Sequence, residues 1–84
     1  MISDFRWIEW NINQVEKHGL TVAEVESIVL NAKRPHPRRV ENDKWQVVGR
    51  GTGDRMVEVF YLVDDDRTTA FVIHAMQVFT GKRK

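Results

Sequence analysis

Apolar positions along this chain change their spacing at about Pro37. Before it, Ile8, Ile12 and Val15 recur near the three-to-four-residue interval of a helix. The interval predicts a first helix from about Ile8 to His18, closed by Gly19 as a left-handed cap. Thr21-Val22-Ala23-Glu24 then reads as a capping box, hydroxyl at the N-cap and carboxylate three residues on. Val22, Val25, Ile28, Val29 and Ala32 follow as one apolar stripe, so a second helix is predicted over Thr21–Ala32. Pro35 and Pro37 cannot continue it.

Beyond Pro37 the interval falls to two. Arg38–Glu41 and Lys44–Arg50 read as strands around Asn42-Asp43, a two-residue hairpin turn. In the second strand Trp45, Val47 and Gly49 point one way, and Lys44, Gln46, Val48 and Arg50 the other. Gly51–Asp54 is a turn. Arg55–Val63 is apolar on both faces apart from Arg55 and Glu58, the pattern of a central strand. After a turn at Asp64–Arg67, Thr68–Met76 is the last strand, with Ala70, Val72, His74 and Met76 on one face. Gln77–Lys84 is too short and basic to assign, with a helical turn and a frayed end both left open. Helices followed by a run of strands give an α+β class. The expected architecture is two N-terminal helices packed on one face of a three- to four-stranded antiparallel sheet. The opposite face is left to bind something.

Eighty-four residues bound this to one domain, 1–84, with a modest core burying roughly 60% of the unfolded surface. At 42% hydrophobic and 30% charged residues the chain is not a disordered polymer. Cysteine is absent, which excludes disulfides, thiolate zinc sites and cysteine nucleophiles, and fits a reducing, cytoplasmic setting. No apolar run reaches the ~18 residues of a membrane span. Met1–Arg6 has none of the features of a signal peptide. Net charge is only +1, but it is segregated. Lys33, Arg34, Arg38 and Arg39 surround His36, and Lys82-Arg83-Lys84 ends the chain, while Asp64-Asp65-Asp66 fills a turn. Such segregation can give one basic face or a solvated surface and nothing more.

The three histidines, His18, His36 and His74, have no metal-ligand spacing. Gly49-Arg50-Gly51-Thr52-Gly53 sits in a hairpin turn, not between a strand and a helix, so it is no phosphate loop. Ser3 and Ser27 are poorly placed for a Ser/His/Asp triad. Basic residues on a sheet with histidines nearby suit a different reaction. RNA cleavage without a metal uses the 2′-hydroxyl as nucleophile. It needs a base for that proton, cations for the phosphate and an acid for the leaving oxygen. Arginine suits the cationic role because its planar fork binds phosphate oxygens in pairs. Histidine suits proton transfer.

The candidate catalytic residues are therefore Lys17, His18, Arg50, Arg55 and His74. Arg50 and Arg55 flank one turn and are expected to meet a single phosphate, the bland alternative being a solvated strand-end arginine. On its apolar face His74 is expected first as a hydrogen-bonded core residue and second as a proton-transfer group. Trp7, Trp10 and Trp45 are candidates for base stacking or for the core.

Several of these residues fall in the order of a known family. Trp7, Trp10-Asn11, Lys17-His18-Gly19 and the acidic helix Thr21–Ala32 resemble the opening of BrnT-like toxins. Gly49-Arg50 with Asp54-Arg55 resembles that family's paired arginines around a hairpin, and Ile73-His74-Ala75 its final strand. The resemblance spans nearly the whole chain. It implies a RelE-like fold and a cofactor-free ribonuclease that arrests translation. It also implies a cognate antitoxin that binds DNA, and functional roles for Lys17, His18, Arg50 and Arg55. Where the family carries a further arginine this sequence has Met76, which binds no phosphate. A non-catalytic binding module or degenerate toxin relative is therefore the second expectation. A homodimer through the free sheet face or an edge strand is the third.

Overall fold

The computed structural model describes residues 1–78. Its elements run β1 (Asp4–Phe5), α1 (Glu9–Glu16), α2 (Val22–Leu30), β2 (Arg38–Glu41), β3 (Lys44–Arg50), β4 (Met56–Val63) and β5 (Thr69–Gln77), with a short 3-10 turn at Thr52–Asp54. The sheet has five strands in the order β1-β5-β4-β3-β2. β2 to β5 form an antiparallel meander, as the alternating pattern predicts. β1 is an addition: two residues running parallel to the start of β5, Asp4 beside Thr69 and Phe5 beside Ala70. The sheet is therefore mixed and five-stranded, not antiparallel with three or four. A two-residue strand has no periodicity to detect. Arg6 holds it in place through Asp64, with Nε to Oδ2 at 2.8 Å and Nη2 to Oδ1 at 3.0 Å.

The meander follows the expected boundaries closely, and β4 is central between β3 and β5. β5 runs on through Gln77, the first residue of the tail that the sequence leaves unassigned; the rest of that segment, 79–84, lies outside the described residues. One face of the sheet carries Val47, Val57, Val59, Tyr61, Ala70, Val72 and Ala75, all buried. α1 packs against β5, and α2 lies over β3 and β4. Val15, Leu20, Val25, Ile28 and Val29 from the helical half complete the core.

β5 departs from the predicted pattern in one consequential way. Phe60 pairs with His74, but Tyr61 pairs with Val72, so Ile73 is an extra residue and β5 bulges there. A bulge reverses which face later residues occupy. Ala70 and Val72 face the core, whereas His74 and Met76 face the opposite, open side. The expectation that all four share one face is corrected, and with it the core role for His74.

α1 is shorter than predicted because its ends are capped rather than helical. Ile8 is the extended N-cap and Lys17 the C-cap, with Gly19 beyond it at φ +77°. The buried face is Asn11 and Val15, not an Ile8–Ile12–Val15 stripe; Ile8 is 47% exposed. Asn11 is wholly buried because it works as a clamp. Its Oδ1 accepts from the Ile8 amide at 2.7 Å, and its Nδ2 donates to the Arg6 carbonyl at 3.0 Å. Among the described residues no helix is long and apolar enough to cross a membrane.

Candidate functional site on the open sheet face

The open face is built in rows, because register partners in antiparallel strands share a face. One row joins Lys44, Leu62 and Phe71. The next joins Gln46, Phe60 and His74, then come Val48, Glu58 and Met76, and last Arg50 and Met56. α1 extends the first two rows past β5. Trp10 stacks on Phe71 with centroids 6.1 Å apart, and the Arg6 guanidinium lies 4.2 Å from the same ring. The His18 ring stands 6.2 Å from the His74 ring, tilted by 62°.

His18 and His74 are thus brought together from opposite ends of the chain. Phe60 walls His74 on one side at 5.8 Å, with the Lys44 ammonium 5.2 Å from the Phe60 centroid. His18 is exposed and His74 half-buried, and no side-chain hydrogen bond ties either ring among the described residues. Glu58 sits diagonally from His74 and accepts from Gln46 Nε2 at 2.8 Å. Lys17 is exposed at the same end of α1.

The two arginines do not converge. Arg50 is on the open face, exposed, with Asp54 at 3.6 Å. Along β4 its row lies four residues from that of His74, roughly 13 Å, and two strands across is about 10 Å more. Arg55 turns the other way. Its Nη2 donates to Glu24 Oε1 at 2.8 Å and to the Gly19 carbonyl at 3.0 Å, and its Nε donates to Glu24 Oε2 at 3.2 Å. The expectation that one phosphate meets both is therefore corrected: Arg55 is committed to a carboxylate on the helix side.

The role of that carboxylate explains why half of the predicted capping box is weak. Thr21 Oγ1 accepts from the Glu24 amide at 3.0 Å, as expected. The Glu24 side chain, only 5% exposed, turns mainly elsewhere, the Thr21 amide being its weakest donor. It ties α2 to the β3–β4 turn instead, through Arg55 and the Thr52 amide at 2.7 Å. Hydrogen bonds from Arg55 hold the Glu24 carboxyl below its ordinary range against the opposing effect of burial, helped by the Thr52 amide. The same bonds raise Arg55. Gly51 leaves room for this, since a Cβ there would run into the Glu24 carboxylate and lie 3.1 Å from Val57 Cγ2. Gly51→Ala is accordingly expected to cost about 1–3 kcal/mol by displacing a buried acceptor from its donors. Urea unfolding would read this as a lower midpoint at constant slope. An unchanged midpoint would mean that the carboxylate relaxes freely.

Of the tryptophans only Trp10 is presented to solvent on the open side, at 48% exposure. Trp7 packs against the core with Nε1 donating to Glu26 at 2.7 Å, and Trp45 packs there with its Nε1 unpartnered. Residues that sequence reasoning passed over are Lys44, Gln46, Glu58, Phe60 and Phe71. Their polar-aromatic alternation is visible, but their adjacency needs the strand register. Among the described residues no three His, Asp or Glu side chains converge as metal ligands would.

No family model matches this sequence, and neither does any curated protein. The fold does have a solved counterpart. The chain is similar to the Brucella abortus ribonuclease toxin BrnT, known from a crystal structure at 1.1 Å resolution, with a TM-score of 0.65. The match covers 95% of this chain and 99% of that one at 18% identity, so the likeness is one of fold.

Proposed function

We propose that this chain is the toxin of a toxin–antitoxin pair and a metal-independent ribonuclease, with its reaction on the open sheet face. The observation that carries this reading is the juxtaposition of His18 and His74, on a fold shared with a ribonuclease toxin. In-line cleavage needs two proton carriers on one substrate phosphate. One imidazole takes the 2′-hydroxyl proton as that oxygen bonds to phosphorus. The other protonates the departing 5′-oxygen, leaving a cyclic phosphate and a free 5′-hydroxyl. His18 is exposed, so its ring has room to turn and admit a phosphate beside His74. Lys17 and Lys44 supply positive charge nearby. Trp10 and Phe71 offer stacking faces for bases. Arg50 is too distant for the same phosphate and would hold the strand farther along. Arg55 is left out of the reacting set, because Glu24 occupies it.

A second reading rests on Met76. It lies on this face, opposite Glu58 and beyond His74, and adds no cation there. A face that binds without cleaving is consistent with that. Expression of the chain alone under tight induction separates the two. Growth arrest with fragmented RNA, lost in His18→Gln/His74→Gln, is the expected result. Normal growth and intact RNA, with the protein folded, would leave only the binding reading.

A further inference from the structure

β2 covers only the first part of β3. Its partners there are Lys44, Trp45 and Gln46, so Val47–Arg50 have no strand on their outer side among the described residues. The lane that β2 leaves vacant is an open cleft of roughly 580 Å³ between this edge and α2, within the size range of ligand pockets. Lys33, Arg34 and Arg50 line it, and no acidic residue does. Lys33 and Arg34 are exposed and make no ion pair among the described residues. Arg50 has Asp54 at 3.6 Å, a pair so exposed that it holds the arginine weakly.

We propose that this cleft takes an extended acidic peptide segment of a partner protein, added as a strand beside Val47–Arg50 with its carboxylates against Lys33, Arg34 and Arg50. Two independent features require the same occupant. An open strand edge presents N–H donors and C=O acceptors together. A peptide backbone satisfies both. RNA satisfies the cations and the N–H groups but sets its phosphates against the edge carbonyls. Ile28 lines the cleft on the helix side with Lys33 and Arg34, and Val48 and Met56 line it on the open side with Arg50, so a strand carrying both acidic and apolar side chains on each face fits it. A second copy of this chain is disfavoured, because pairing β3 with β3 would bring both sets of cations together. The chain's own last residues, Lys82-Arg83-Lys84, carry the same sign. The inference does not use the histidine pair, which lies two strands away, and stands or falls separately from it.

The test is a binding titration with a fluorescein-labelled peptide of Glu-Glu-Val-Val repeats, which places a glutamate on each face of the added strand, followed by anisotropy and by amide resonances of the 15N-labelled protein. Three comparison probes accompany it: the lysine-valine counterpart, the glutamate-valine peptide N-methylated at alternate residues, and a labelled single-stranded RNA. Of the peptides only the unmodified acidic one is expected to bind saturably, with its amide shifts centred on Val47–Arg50, whereas RNA is expected to shift the face around His18 and His74 and not this edge. Lys33→Glu/Arg34→Glu, two exposed substitutions, is expected to weaken it at least tenfold. Failure of the acidic peptide to bind the wild-type protein would overturn the proposal. Equal binding by the N-methylated peptide would also overturn it, since charge alone would then suffice. RNA shifting Val47–Arg50 while the peptide does not would assign the cleft to nucleic acid instead.

Discussion

Arg55→Ala is expected to destabilise the fold rather than to disarm the chemistry. The substitution removes three hydrogen bonds at once and leaves Glu24, 5% exposed, as a buried carboxylate holding only amide donors. Breaking a buried ion pair from one side costs about 3–5 kcal/mol, and with Arg55 28% exposed the loss here falls at the lower end of that range. A domain of this size holds only about 4–13 kcal/mol in total. Each kcal/mol moves Tm by roughly 4–8 °C, so thermal unfolding should come down by more than ~10 °C. Replacing the pair as a unit, Glu24→Leu/Arg55→Met, is expected to recover most of the loss, because no charge is left stranded. A single variant melting within a few degrees of wild type would show that the pair is dispensable. The pH dependence has a definite sign. A carboxyl depressed in the folded state contributes stability that is complete above its unfolded value of roughly 4.3. The contribution is lost as pH falls through the lower folded value. Wild type should therefore weaken below about pH 4 by an amount the paired replacement does not show. The consequence for function is practical. Loss of RNA cleavage in an Arg55 variant says nothing of chemistry unless the variant is shown to be folded.

Arg55 also marks where sequence reasoning stops. The meander was legible because alternation, turn residues and the apolar centre of β4 are local signals, and Asn42-Asp43 forms the two-residue turn that its composition announces. The inward set Trp45, Val47 and Gly49 came from the same parity. What was hidden depends on partners distant in sequence. Glu24 and Asn11 look like ordinary helix residues, and nothing adjacent shows that one binds Arg55 and the other clamps Arg6 and Ile8. β1 is too short to have a period. The bulge at Ile73 is the sharpest case. One extra residue reverses parity, and a reading by strict alternation places His74 in the core although it stands beside His18. His18 and His74 were therefore legible as residue types and not as a pair. Arg50 and Arg55, close in sequence, looked like a pair and point to different sides.

His18→Ala and His74→Ala are each expected to slow RNA cleavage by about 10²–10⁴-fold. The double variant should be little slower than the worse single one, because proton donor and acceptor act on one transition state and their effects do not add. The wild-type rate should follow a bell with pH, one limb for the base and one for the acid. Removing one imidazole should abolish one limb and leave the other. Neither ring lies in the buried core, so both variants should melt near the wild-type temperature, in contrast to Arg55→Ala. Variants that cleave at the wild-type rate would remove the histidines from the mechanism. If folded wild-type protein turns over no RNA at any pH, the face binds without reacting. Met76→Arg then becomes the decisive variant: it places an arginine on that face, opposite Glu58 and beyond His74, where β5 itself offers no cation to a developing phosphate charge. Cleavage gained in Met76→Arg and lost again in Met76→Arg/His74→Ala would show that the proton carriers were in place and that a cation at this position was missing.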